Sequence, residues 1–188
     1  MSEQELREIV IETGKRLLAT GLVQGTWGNI SVRLNDKKMI VTPSGRDYER
    51  LTPDELVIVD IETLEYDSPI KPTSEKKIHA AIYRDHPDVN AIIHSHPWNG
   101  CAVASTRCEM PIKSDEGKAL IGPTARTGKY GLPGTKKLTK GTVEAMKDRN
   151  ACFMANHGVL CAGVDMETAF RTLEILEKES GEYLGVDD

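Results

Sequence analysis

His94 and His96, spaced two residues apart, are the side chains of this chain best placed for metal chemistry. They follow the apolar run 89–93, whose β-branched residues predict a buried strand. Residues two apart on a strand point to the same face, so both imidazoles are expected to reach one metal ion. A catalytic zinc site uses three protein ligands and one open position, and His157 is the natural third ligand. The alternative is an ordinary polar pair that makes hydrogen bonds at a strand end.

The remaining histidines and the cysteines are predicted to have no catalytic role. His79 lies on a predicted helix and His86 lies in a turn, so both are interpreted as structural or solvent-facing. No C-x-x-C pair occurs, which favours buried reduced thiols over a disulfide framework or a cysteine zinc site. The thiols concerned are Cys101, Cys108, Cys152 and Cys161.

Three polar segments are suited to holding an anion. The glycine-rich segment 25–31 contains Asn29, segment 42–45 contains Ser44, and Thr73 with Ser74 opens a predicted helix. Glycines allow close backbone approach, and the amides at a helix N-terminus attract phosphate. Each segment also has a structural explanation, since tight turns and helix starts favour the same residue types.

Glu75 follows these helix-opening hydroxyls and is a candidate general base. A carboxylate beside a divalent metal can take a proton from carbon while the metal polarises an adjacent carbonyl. The helix dipole alone would also favour a carboxylate in a first turn. Taken together, the segments allow carbon–carbon cleavage or isomerisation beside the ketone of a phosphorylated sugar.

Alternating helices and strands must position these groups. Apolar spacing predicts helices at 3–20, from 72–75 to about 85, at 101–105, at 138–147 and from Asp165 onward. The second of these helices is expected to have Thr73 or Ser74 as its N-cap, with Ile78, Ala81 and Ile82 buried. Strands are predicted at 30–34, 38–42, 55–60, 89–96, 151–155 and 159–162, and segment 111–136 is left unassigned. The pattern predicts one α/β domain over 1–188, with a central sheet covered on both faces and containing antiparallel pairs.

Composition excludes several classes of function. The formal net charge is −5, so no basic field predicts nucleic acid or an anionic membrane as a partner. No apolar stretch is long enough to cross a bilayer. The polar, acidic N-terminus is unlike a secretory signal, which predicts a cytoplasmic location.

The ordered motifs G-x-W-G-N-I-S, T-P-S-G, K-P-T-S-E, H-S-H and N-H-G resemble those of the class II sugar-phosphate aldolase family. The resemblance covers about residues 5–180. It implies a three-layer α/β/α domain with a largely antiparallel, mixed sheet, assembled as a homotetramer with active sites at subunit interfaces. The implied reaction is the reversible cleavage of a ketose 1-phosphate, of the L-fuculose 1-phosphate type, to dihydroxyacetone phosphate and a short aldehyde.

The same resemblance implies roles for individual residues. Glu75 matches the catalytic acid/base, and the zinc ligands match His94, His96 and His157, although another divalent metal is possible. The substrate phosphate would be held at Gly28, Asn29, Ser44, Gly45, Thr73 and Ser74.

Two alternatives on the same scaffold are a sugar-phosphate 4-epimerase and a methylthioribulose-1-phosphate dehydratase. The epimerase branch has Ser-Asp where this chain has Ser74-Glu75, which favours the aldolase. A non-catalytic binding module is disfavoured because all three histidines and Glu75 are present.

Two departures from the family leave open which group protonates the aldehyde oxygen. The aldolase branch places a neighbouring subunit's tyrosine near the position of Asp115, and longer relatives have a C-terminal tail over the site. Tyr130 is a better substitute candidate than Tyr183, although a structural aromatic is the more common explanation for either.

Overall fold

A mixed eight-stranded sheet forms the centre of the computed structural model, which describes residues 1–186. The strand order is β3-β2-β1-β4-β8-β7-β6-β5, and every neighbouring pair is antiparallel except β6 with β7. The strands are β1 (Asn29–Arg33), β2 (Lys38–Val41), β3 (Val57–Asp60), β4 (Ala91–Ser95), β5 (Met110–Pro111), β6 (Thr124–Gly128), β7 (Ala151–Met154) and β8 (Gly158–Gly163). This largely antiparallel, mixed sheet confirms the predicted fold class.

Helices cover the sheet on both sides and complete the three layers. They are α1 (Glu3–Ala19), α2 (Lys76–Asp85), α3 (Trp98–Thr106), α4 (Asp115–Leu120), α5 (Lys136–Met146) and α6 (Met166–Leu184), with a 3-10 turn at Pro53–Glu55. One apolar core includes side chains of α1, α3 and α6, and the other includes those of α2 and α5. Burying apolar side chains from both faces of a sheet is the main stabilising contribution in such a fold.

Strand β4 lies in the middle of the sheet and carries His94. On one side, β1 is in register so that Asn29 pairs with His94. On the other side, β8 places Leu160 opposite the same histidine. Facing residues of paired strands project to the same face, so Asn29 and His94 both point toward the α2 layer.

Helix α2 begins later than the sequence predicts. Its N-cap is Glu75, which makes no side-chain capping bond, so the prediction of Thr73 or Ser74 as N-cap is wrong. The Thr73 hydroxyl instead accepts a hydrogen bond from the Glu75 amide at 3.3 Å. The buried stripe includes the predicted Ile78 and Ile82, but Ala81 is only half-buried, because the helix is rotated to bury its neighbours Ala80 and His79.

The other predicted elements are largely confirmed. Asp165 caps α6 through a bond from the Thr168 amide, as predicted. Segment 111–136, left unassigned above, contains α4 and β6. All four cysteines are free, and Cys152 and Cys161 are buried, but the prediction of burial is wrong for the exposed Cys108 and only half right for Cys101. Among the helices of residues 1–186, none has the length and apolar character needed to span a bilayer.

Candidate active site

Three imidazoles converge at the end of β4. His94 is on the strand, His96 follows it, and His157 lies in the turn between β7 and β8. The ring centroids of His94 lie 4.8 Å from those of both His96 and His157, and the latter two are 5.1 Å apart. One nitrogen from each ring lies within 4.8 Å of the others. The structure therefore brings together the three predicted ligands, as the alternation of strand side chains requires for the first two.

The orientation of His94 is set by the neighbouring strand. Its Nδ1 lies 2.8 Å from the Val159 carbonyl oxygen of β8. A carbonyl only accepts, so Nδ1 donates this hydrogen bond and Nε2 is the nitrogen that faces the other imidazoles. That Nε2 lies 3.0 Å from Nε2 of His96. This arrangement, with one nitrogen bonded to the backbone and the other free, is typical of metal-binding histidines.

Gly158 allows the three rings to approach one another. A Cβ at this position would lie 2.5 Å from the Ser95 carbonyl oxygen and 2.6 Å from Cδ2 of His96. Both distances are far inside van der Waals contact, so a larger residue would push β8 away from β4. The preceding turn has Asn156 at a φ of 52°, a left-handed conformation that asparagine tolerates better than most residues.

Glu75 places its carboxylate against the histidine cluster while being only 5% exposed. Its Oε2 lies 3.2 Å from Nε2 of His94, and its Oε1 lies 3.6 Å from Nε2 of His157. The Asn29 amide nitrogen donates a hydrogen bond to Oε2 at 3.0 Å. Burial opposes ionisation, but His94 and the Asn29 amide outweigh it and hold the pKa of Glu75 below its ordinary value. The carboxylate is thus ionised at neutral pH.

The donor set fits a divalent metal. Burial, reinforced by the neighbouring His94, lowers the pKa of His96 to about 3 and that of His157 to about 4, so both rings are neutral at pH 7. Among the described residues, the buried Oε1 of Glu75 and Nδ1 of His157 have no hydrogen-bond partner. Two nitrogens on a tetrahedral zinc with bonds of about 2.0–2.1 Å lie roughly 3.3 Å apart, close to the His94–His96 separation. Imidazole nitrogens at this spacing, beside a carboxylate, fit a divalent metal on geometric grounds.

A cleft of about 190 Å³ opens from the histidines and is lined by the predicted anion-binding segments. Its walls include Gly28, Asn29, Ser44, Gly45, Thr73 and Ser74. A bridge between Pro43 and Pro72 holds the second and third of these segments side by side. Gly28 has a φ of 148°, and a Cβ there would lie 2.8 Å from the His94 carbonyl oxygen, so this loop packs directly on β4. The structure thus gathers every residue predicted for the anion site.

The candidate tyrosines are not among the residues that line this cleft in the described part of the chain. Neither Tyr130 nor Tyr183, nor the exposed Asp115, is among the described residues of its wall. The wall does include Trp27 and Pro133, which the sequence reasoning did not single out. His86 is half-buried and lies at the opposite end of α2 from Glu75, in agreement with a structural or solvent-facing interpretation. His79 is fully buried and hydrogen-bonds to Asn29, which lines the cleft. It is thus a structural residue in direct contact with the candidate site, a contact that the sequence analysis does not predict.

A buried carboxylate beside a cluster of three imidazoles, at the edge of an anion-suited cleft, is an arrangement suited to proton transfer next to a divalent metal. Residues 8–183 match the family model described as Class II Aldolase and Adducin N-terminal domain. The chain belongs to this family, and it is an enzyme of the lyase class.

Known relatives agree with this assignment. The chain is 34% identical over 175 residues to 5-deoxy-D-ribulose 1-phosphate aldolase of Bacillus thuringiensis, covering 93% of this chain and 82% of that protein. It is 32% identical over 169 residues to L-fuculose phosphate aldolase of Escherichia coli, covering 90% of this chain and 78% of that protein. A solved structure of L-fuculose 1-phosphate aldolase superimposes with a TM-score of 0.91 at 32% identity, covering 98% of this chain and 87% of that one.

Proposed function

We propose that this enzyme is a zinc-dependent aldolase that reversibly cleaves a ketose 1-phosphate to dihydroxyacetone phosphate and a short aldehyde. The contact between the Glu75 carboxylate and Nε2 of His94 carries this proposal. It puts a proton acceptor next to the place where three nitrogens would hold a metal. Family membership and the names of the relatives support the same reaction class.

The residues divide the reaction between them. His94, His96 and His157 would hold the zinc, which when bound supplies Lewis-acid polarisation of the substrate ketone. Glu75 removes a proton from the carbon next to the ketone in the direction of synthesis and returns it during cleavage. The hydroxyls and amides of Ser44, Thr73 and Asn29, together with the N-terminus of α2, would bind the phosphate.

The substrate is proposed only to the level of a ketose 1-phosphate. The relatives' names include L-fuculose phosphate and 5-deoxy-D-ribulose 1-phosphate, which share the phosphorylated end and differ in the aldehyde released. The decisive experiment is a panel of ketose 1-phosphates assayed with zinc-loaded enzyme. Release of dihydroxyacetone phosphate is followed by its reduction with NADH and a reductase. Release from at least one member is expected.

The same panel tests the proposal against its alternatives. If no ketose 1-phosphate releases dihydroxyacetone phosphate while metal is bound, the aldolase proposal is wrong. In that case L-ribulose 5-phosphate and methylthioribulose 1-phosphate are the next substrates, for the epimerase and the dehydratase. Elemental analysis of native protein tests zinc against other divalent metals.

We also propose a homotetramer in which neighbouring copies cover the active sites. Two exposed tryptophans near the histidines support it, since Trp27 is 63% exposed on the cleft wall and Trp98 is 75% exposed at the start of α3. Large exposed aromatic side chains are enriched in protein interfaces. Light scattering coupled to size exclusion should give four times the mass of one chain. A monomer would contradict this proposal.

A cytoplasmic location is likewise a proposal, and the four free cysteines support it.

A further inference from the structure

A chain of buried hydrogen bonds runs from α2 through β1 to Glu75. The Tyr83 hydroxyl lies 2.9 Å from the Ser31 hydroxyl, which lies 2.7 Å from Nδ1 of His79. Nε2 of the same histidine lies 2.6 Å from Oδ1 of Asn29. The amide nitrogen of Asn29 then donates to Glu75 at 3.0 Å.

Each member of this chain is shielded from water. Ser31 and His79 are fully buried, Tyr83 is 1% exposed, and Asn29 is 5% exposed. Buried polar groups must find their partners within the protein, so the direction of each bond is fixed by what its neighbours are able to donate. This series of hydrogen bonds therefore orients the groups that form it, and the groups at its two ends determine the donor and the acceptor of every bond.

The direction follows from both ends. Burial raises the pKa of Tyr83, so its hydroxyl keeps its proton, and among the described residues Ser31 is its hydrogen-bond partner. Tyr83 therefore donates a hydrogen bond to the Ser31 oxygen, and the Ser31 hydroxyl donates a hydrogen bond to Nδ1 of His79. Burial lowers the pKa of His79 to about 3, so the ring is neutral, and its single proton must then lie on Nε2. At the other end, the Asn29 nitrogen lies 3.0 Å from Oε2 of Glu75 and donates to it, so the Asn29 oxygen is the atom that faces Nε2 of His79.

We propose that His79 is a positioning residue, which fixes the side-chain amide of Asn29 with its oxygen inward and its nitrogen toward Glu75. A side-chain amide can adopt two orientations, related by a 180° flip, that differ only by exchange of oxygen and nitrogen. With the nitrogen toward the site, one N–H bonds to the catalytic carboxylate, and the second remains for the substrate. With the amide reversed, its oxygen would repel Glu75 and offer nothing to an anion.

The arrangement has a simple origin in the sequence. Glu75, His79 and Tyr83 recur every four residues, which places them on one stripe of the helix and its N-cap. Asn29 and Ser31 are two residues apart on β1 and share one face of the sheet. Because α2 packs on that face, the helical stripe and the strand pair alternate along a single line to the active site.

Nitrogen NMR of the metal-free wild-type protein tests the inference directly. In a long-range spectrum of ¹⁵N-labelled histidine, the proton-bearing nitrogen of each neutral ring has a characteristic shift. The His79 signal, identified by its absence from the His79→Gln variant, is expected to show the proton on Nε2. A proton on Nδ1 would overturn the inference. This measurement requires no aldolase activity, and it is made on the wild-type protein, with His79→Gln used only to assign the signal.

Kinetics of zinc-loaded variants provide the second test, which rests on the proposed function. His79→Leu removes the donor and is expected to lower kcat by about 10–100-fold with unchanged zinc content, as for other groups that orient a site. His79→Gln keeps an N–H near the Nε2 position and should recover most of that loss. The matched control is Thr142→Val, which removes a buried hydroxyl from α5 without touching the chain of bonds.

The outcomes separate the two proposals. A folded, zinc-loaded His79→Leu enzyme with wild-type kcat would refute the positioning role, as would a His79→Gln enzyme no more active than His79→Leu. If the wild-type enzyme cleaves no ketose 1-phosphate, the proposed function fails, and the NMR result still decides the orientation of Asn29.

Discussion

Replacing Glu75 by glutamine tests the assignment of the base most sharply. Glutamine has nearly the same size, so the buried site needs no repacking, and its side-chain oxygen still accepts the hydrogen bond from Asn29. The variant loses only the negative charge and the ability to carry a proton. Because general base catalysis contributes about 10²–10⁴-fold to a rate, we expect kcat to fall by that factor. This corresponds to roughly 3–5 kcal/mol of transition-state stabilisation.

The assay measures kcat by release of dihydroxyacetone phosphate and bound metal by elemental analysis of the same sample. Glu179→Gln is the matched control, because Glu179 is also 5% exposed but lies on α6. Its carboxylate accepts hydrogen bonds from the backbone amides of Lys113 and Ser114 at 2.6 and 3.0 Å. It therefore reports the effect of neutralising a buried carboxylate outside the active site.

We expect a large loss of kcat in Glu75→Gln, with metal retained, and a small change in Glu179→Gln. A Glu75→Gln enzyme with a near-normal rate would refute the role of this carboxylate as base. Equal losses in both variants would show that buried charge, rather than proton transfer, limits the rate. Loss of metal from Glu75→Gln alone would make Glu75 chiefly a ligand.

Three other perturbations have outcomes set by the geometry. His96→Ala removes one nitrogen of the cluster, so metal affinity should fall by at least about 10–100-fold; undiminished metal content after dialysis would contradict the ligand assignment. Gly158→Ala introduces a Cβ 2.5 Å from the Ser95 carbonyl oxygen and should cost about 1–3 kcal/mol in urea unfolding, together with metal. Burial lowers the pKa of His79 to about 3 in the folded protein, so as the pH falls below about 6.5 this imidazole is protonated in the unfolded chain but stays neutral in the folded one. Between pH 7 and pH 5 the metal-free protein should therefore lose about 2 kcal/mol at this residue, and His79→Gln should show a smaller loss in the same urea titrations.

The local parts of the site follow from the sequence. Alternation along β4 predicts that His94 and His96 share a face, and two apolar runs around 156–158 predict the turn that carries His157. Ordered motifs then supply the anion-binding segments, since each is a turn or a helix start that ordinary residue preferences mark.

The parts that depend on packing between distant elements do not follow. The four-residue spacing of Glu75, His79 and Tyr83 is visible in the sequence, but nothing local shows that this stripe faces Asn29 and Ser31 on β1. That contact depends on the order of strands in the sheet. The start of α2 was misplaced for a related reason, because the Thr73 hydroxyl stabilises the turn before the helix rather than the helix itself. In segment 111–136 the elements are short, and short elements give weak periodicity.

The Val159 carbonyl that orients His94 belongs to the main chain of β8. Every residue type has a main-chain carbonyl, so a substitution at position 159 removes this oxygen only if it distorts the strand. His79, by contrast, depends on side chains at both of its nitrogens, and a single codon change removes either partner. The hydrogen bond that orients His94 is thus protected by the backbone itself, whereas the hydrogen bonds that orient Asn29 can be lost by a single substitution.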